Sequence, residues 1–208
     1  MSSAVQIPPP RVQLATLPVD QRRGIWGMWC VIATEAMLFM CIFGAYYYPG
    51  SNKDRWATEN PSPLHYPLIL LVILLSSSFV LAWGEKQVKL DRFGAAALAL
   101  WITVALGFIF LGVQGFEYRS HWAELAPYSN SYGSIFYTIT SLHAAHVIVG
   151  LLMLIYVGLL PRFAKAFRSP HQAYETIALY WHFVDVVWIF IVALLYVMPH
   201  FQVHHHGR

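Results

Sequence analysis

The chain has 208 residues, 58% hydrophobic and only 11% charged, with a formal net charge of +3. A soluble domain carries roughly a quarter charged residues, so the composition excludes a soluble globule. The basic residues are scattered, with no Lys/Arg block, so no nucleic-acid partner is expected.

Residues 1–23 lack the continuous apolar core of a secretory signal peptide. With Pro8, Pro9 and Pro10 they read as an extended cytoplasmic N-terminal arm. Five nearly uncharged segments follow, Gly24–Tyr48, Leu64–Trp83, Phe93–Phe116, Tyr132–Leu160 and Ile177–Met198. Each meets the length of about 20 residues that spans a hydrocarbon core of about 30 Å. Of the 23 formal charges only Glu35 and Asp185 fall inside them. The expected fold is an all-α membrane protein, with residues 24–198 forming a bundle of five transmembrane helices (24–48, 64–83, 93–116, 132–160, 177–198). The short connections leave no room for a nucleotide-binding or other soluble domain. Pro61, Pro63, Pro161 and Pro199 punctuate the spans, and Tyr46, Tyr47, Tyr48 and Trp56 form an interfacial aromatic belt. Residues 199–208 are a His-rich periplasmic tail whose His204, His205 and His206 are read as solvated or as a surface metal ligand set.

Charge distribution gives an orientation. Arg11, Arg22, Arg23, Lys86, Lys89, Arg92, Arg162, Lys165 and Arg168 lie on one side of the alternating spans. Lys53, Arg55, Arg119 and Arg208 lie on the other. The positive-inside rule then places the N-terminus in the cytoplasm and the C-terminus in the periplasm. Cys30 and Cys41 share one helix about 16 Å apart and cannot bridge each other.

An ionisable side chain in hydrocarbon costs a few kcal/mol on insertion scales and is normally paired and turned inwards. Glu35, His143, His146, His182 and Asp185 fall in the spans. At about 1.5 Å per residue they are expected about 16, 14, 9, 8 and 12 Å from the cytoplasmic side, close enough to meet in one bundle. Glu35 has no polar neighbour on its own helix. It reads either as a proton-handling or gating carboxylate or as a neutral acid held by one interhelical hydrogen bond. Thr140, His143, His146 and Gly150 line one side of the fourth span. His182 and Asp185 share a face of the fifth, beside Trp181 and Trp188, and read as a tautomer-fixing pair or a helix-locking contact. These histidines supply at most one facing pair for haem and no convergent set of three for copper. No residue is therefore assigned to catalysis and none to a metal.

The residues that break the apolar pattern also carry a resemblance. Tyr180-Trp-His-Phe-Val-Asp-Val-Val-Trp188, Gly133-Ser-Ile-Phe-Tyr137, Ser141-Leu-His-Ala-Ala-His-Val-Ile-Val-Gly150, Gln114-Gly-Phe-Glu-Tyr118 and Ala33-Thr-Glu-Ala-Met-Leu-Phe39 resemble subunit III of the haem–copper oxidases, in the short five-helix form common in bacteria. The likeness runs from Arg23 to about Val197, without the opening helix pair of the seven-helix members. It implies a cofactor-free subunit of a cytochrome c oxidase that packs directly on the catalytic subunit I, alongside subunit II and small subunits. Haem and copper are then in the partner subunits. The resemblance also implies stabilisation of subunit I, support of proton uptake, bound phospholipids and residence in a bacterial plasma membrane. Residue by residue it marks Glu35, Glu117, His143, His146, Glu175, His182, Asp185 and Trp188. Arg22, Arg23, Arg162, Lys165, Arg168 and His171 stand where lipid headgroups or surface protons would be collected, or simply form positive-inside loops. Two other functions stay open at this point: a subunit-III-like partner of a quinol oxidase or nitric oxide reductase, and an independent proton-coupled transporter using Glu35 and Asp185.

Overall fold

The computed structural model describes residues 23–50, 65–121, 131–159 and 170–198. Among them the backbone is helical except at one turn. The helices are α1 (Arg23–Gly50), α2 (His65–Lys89), α3 (Phe93–His121), α4 (Ser131–Leu159) and α5 (Pro170–Ile191), the last continuing as a π-helical stretch, Val192–Val197. All five are long and apolar enough to cross a membrane. Hydropathy marks only the part of a helix that suits hydrocarbon, so several helices run past it. Helix α2 continues beyond Trp83 to Lys89, and α3 beyond Phe116 to His121. Helix α5 begins at Pro170, seven residues before the expected Ile177, through the polar residues His171, Gln172, Glu175 and Thr176. Proline suits a first helical turn, where its missing N–H leaves no bond unmade. Residues 1–22 of the N-terminal arm and the His-rich tail lie outside the described residues, while Arg23 opens α1.

Named contacts fix the arrangement. The α2–α3 hairpin is the tightest pairing, with Gly84 against Ala99. Helices α3 and α4 run antiparallel, Trp101 meeting Gly158 and Tyr118 meeting Thr140. Helix α5 is the hub. It packs antiparallel to α2 (Trp181 on Ser77) and to α4 (Tyr180 on His146), and parallel to α1, where Gln172 lies against Gly24. Helix α1 is peripheral: Trp26, Trp29, Met37 and Met40 all face outwards.

Trp181 shows how the hub is built. Its side chain is wholly enclosed, and its indole N–H donates to Ser77 Oγ at 2.9 Å. A Cβ on Gly107 would stand 3.1 Å from its ring, and one on Gly150 2.9 Å. Small residues on α3 and α4 therefore make the slot that the indole fills, the usual device where helices meet without a hydrophobic drive between them.

The α2–α3 turn closes with a Schellman-type pattern. Arg92 N–H donates to Gln87 O at 2.9 Å and Asp91 N–H to Val88 O at 3.0 Å. Asp91 takes the left-handed position, φ 56°, that glycine usually fills and that Asn and Asp tolerate best among the other residues.

Candidate functional site

The helices distribute the polar side chains over several centres inside the bundle. The first joins α1 to α4. His146 Nε2 lies 3.0 Å from Glu35 Oε2, and its Nδ1 lies 2.8 Å from Leu142 O, one turn back. A carbonyl only accepts, so Nδ1 carries a proton and Nε2 faces the carboxyl group. The Phe39 ring covers the imidazole at 5.1 Å. Glu35 keeps 33% of its side chain exposed on the flank of α1, which matters because it sits in mid-helix. The expected depths of about 16 Å for Glu35 and about 9 Å for His146 are corrected, because the two groups touch and so share one level. Counted back thirteen residues from Leu159, His146 is about 20 Å from that helix end.

The second centre joins α2 to α5. Ser78 Oγ donates to Asp185 Oδ2 and lies 2.7 Å from His182 Nδ1. Of the two readings of His182 and Asp185, a tautomer-fixing pair or a helix-locking contact, the geometry has the Ser78 hydroxyl of the neighbouring helix standing between them. Asp185 is buried, and its Oδ1 has no hydrogen-bond partner among the described residues.

The third is a buried aromatic stack. His143 is enclosed on α4, its ring stacked on Trp188 at 4.9 Å and edge-on to Phe110 at 5.9 Å. Neither of its ring nitrogens finds a hydrogen-bond partner among the described residues.

The fourth lies toward the far end of α3 and α5. Glu117 is fully buried, accepting from Tyr196 Oη at 2.8 Å and from Gln114 Nε2 at 3.3 Å. The π-helical stretch carries Tyr196, so the widened helix end delivers the hydroxyl to α3. Beside it Tyr118 Oη donates to Thr140 Oγ1 at 2.8 Å. Because Gln114 Oε1 is unpartnered among the described residues, a glutamine at position 117 would gain an acceptor for its new N–H. Glu117→Gln is expected to stay within about 1 kcal/mol of the parent, while Glu117→Ala, stranding two donors and opening a cavity, loses about 2–3 kcal/mol. Thermal unfolding in detergent checks the order.

The five mid-span ionisable groups therefore do not meet at one place, as their counted depths had suggested. Residues three apart on α4 differ by about 60° around the helix, enough to send His146 to α1 and His143 to α5. Glu175, grouped with the buried residues, is exposed, because it lies about 100° around α5 from its buried neighbour Tyr174. His171 is exposed too, 3.6 Å from Asp91 and edge-on to Phe93. Arg22, Arg162, Lys165 and Arg168 lie outside the described residues, and of Arg23 only the backbone is described. Cys30 and Cys41 are separate and exposed. Among the described residues no three His, Cys, Asp or Glu side chains converge as a metal site. Sequence reasoning missed Ser77, Ser78 and Tyr196. The run Ser76-Ser77-Ser78 inside an apolar span was the available signal for the first two; Tyr196 had none.

Several of these contacts fall on the motifs Ala33–Phe39, Gln114–Tyr118, Ser141–Gly150 and Tyr180–Trp188, so comparison with known proteins bears on the site itself. The family model for cytochrome c oxidase subunit III matches residues 16–200. A cytochrome c oxidase subunit 3 of Thermostichus vulcanus is 33% identical over 181 residues, covering 85% of this chain and 88% of the relative. One from Alkalihalophilus pseudofirmus is 31% identical over 195 residues, 91% and 93% of the two chains. The protein of the same name from Gallus gallus is 32% identical over 189 residues, 86% and 71%. With the match spanning all five helices and every polar centre between them, the chain belongs to the cytochrome c oxidase subunit III family.

Proposed function

We propose that this chain is the cofactor-free, non-catalytic subunit III of a proton-pumping terminal oxidase in a bacterial plasma membrane. It sits directly against the haem- and copper-bearing subunit I, with subunit II and small subunits in the same complex. The N-terminus is cytoplasmic and the C-terminus periplasmic, from the nine-to-four distribution of Lys and Arg. The observation that carries the reading is Glu35. A carboxyl group in mid-span, one-third exposed and held by one histidine, is costly against lipid chains. A protein partner or an aqueous cleft on that flank would remove the cost, and the exposed Val31 and Leu38 lie within about 60° of Glu35 around α1.

In this role the subunit stabilises subunit I through its outer helix faces, holds phospholipids, and supports proton uptake at the inner surface. Arg22, Arg23, Arg162, Lys165, Arg168 and His171 are the groups for headgroups and surface protons. Glu35 with His146, and Glu117, are proton-handling groups within the span. Trp181, Trp188 and Gly150 hold the bundle together. Stripping the chain from the purified oxidase tests this. Oxygen reduction should persist with the haem spectrum unchanged, but be slower and shorter-lived, and adding the chain back should restore it. Loss of the haem spectrum on stripping, or unaltered rate and lifetime, would contradict the reading.

A further inference from the structure

Three consecutive serines on α2 have three different fates. Ser76, exposed, donates to Val72 O at 2.7 Å on its own helix. Ser77, buried, donates to Leu74 O at 2.7 Å and accepts from Trp181. Ser78 instead places its hydroxyl between two titratable groups of α5, His182 Nδ1 and Asp185 Oδ2. A hydroxyl has one proton to give and two lone pairs. When Ser78 donates to Asp185, His182 Nδ1 must carry the proton that Ser78 accepts. When it donates to Nδ1, Asp185 Oδ2 must carry that proton. The two arrangements have the same heavy-atom positions and differ only in where the proton lies.

We propose that Ser78 is a relay hydroxyl that passes a proton between Asp185 and His182, so that the three side chains titrate as one unit. In the forward step the Oδ2–H bond of Asp185 breaks and its proton joins Ser78 Oγ. The original Ser78 proton moves to His182 Nδ1 in the same step. A neutral acid and a neutral imidazole become a carboxylate and an imidazolium; the serine is regenerated and the total charge is unchanged. His182 is half-buried and Asp185 is buried, so the relay joins a partly accessible group to an enclosed one whose second oxygen is unpartnered among the described residues. Glu85 on α2 is the titratable group whose charge acts on His182, and the neighbouring elements carry His143 and His146 on α4, Glu35 on α1 and Glu175 on α5. None of them is hydrogen-bonded to the three. Ser78 is a positioning and relay residue; nothing in the inference requires the chain to touch a reacting oxygen molecule.

The test uses the full chain purified in mild detergent, with ¹³C-labelled aspartate followed by infrared spectroscopy and ¹⁵N-labelled histidine by NMR. Asp185→Asn and His182→Gln assign the two signals. Across a pH titration the Asp185 carboxyl band and the His182 nitrogen shifts are expected to move together, through the same macroscopic steps of the coupled pair. Ser78→Ala should separate the two signals into midpoints at least tenfold apart in proton concentration, and Ser78→Thr, which keeps a hydroxyl, should rejoin them. Steps not shared by the two signals in the unaltered chain, no titration of either group, shared steps retained in Ser78→Ala, or a split retained in Ser78→Thr would each overturn the relay. Should Ser78→Ala fail to fold, the unaltered chain and Ser78→Thr still decide. Failure of the relay would leave membership of the oxidase untouched.

Discussion

Trp181→Ala is expected to be the most damaging single substitution in the bundle, lowering stability by about 3–5 kcal/mol, the range for emptying a buried tryptophan site. The cost is mainly lost packing, because lipid chains are as apolar as the helix interior and little hydrophobic drive exists between helices. The indole touches three other helices at once. It donates to Ser77 on α2 and fills the slot opened by Gly107 on α3 and Gly150 on α4. Neither glycine can supply the missing volume, so the cavity stays. Trp181→Phe keeps most of the ring and loses the Ser77 bond; interhelical hydrogen bonds in membranes average about 0.6 kcal/mol, so this variant should lose far less than alanine. Unfolding curves in one detergent would show the order, and equal losses for Phe and Ala would mean that the hydrogen bond, not the packing, holds the slot together. The same close fit appears at Gly84, where an added Cβ would clash with the hydroxyl of the buried Tyr174 and stand 2.6 Å from Cβ of the buried Ala99.

The second large effect is expected at Asp185. Alanine there removes the acceptor of Ser78, leaving its hydroxyl only His182 Nδ1, and empties a buried site between α2 and α5. The lost hydrogen bond and the emptied site together cost about 1–3 kcal/mol, so Asp185→Ala should fall below Trp181→Ala in damage yet above a surface change. Asp185→Asn keeps a carbonyl acceptor and should recover most of that loss. The measurement is retention of the subunit in the oxidase together with its thermal unfolding. An alanine variant as stable and as well retained as the parent would refute the bridging role of Asp185.

How much of this was legible in the sequence differs by level. The helices were, because a span of about 20 uncharged residues has few other readings. Their ends were not, because helical hydrogen bonding continues at both membrane borders, as at Pro170 and Lys89. The inward faces were hidden for a different reason. A helix that is apolar all round gives no amphipathic signal, since lipid and core accept the same side chains. Ser76, Ser77 and Ser78 are identical in sequence and separate only when α5 is set beside them. His143 and His146 likewise share a face by spacing, yet one stacks on Trp188 and the other meets Glu35. The polar residues could be found one by one, but not their partners, because every partner lies on another helix or in a different turn.

On the function proposed above, this subunit carries no redox centre and works through its partners. The reduced-minus-oxidised spectrum of the complex purified through this chain, recorded before and after the partner subunits are removed, tests it most directly. Haem bands present in the complex and absent from the isolated chain are the expected result. Bands that remain with the isolated chain would make His143, His146 or His182 ligands and would overturn the cofactor-free reading.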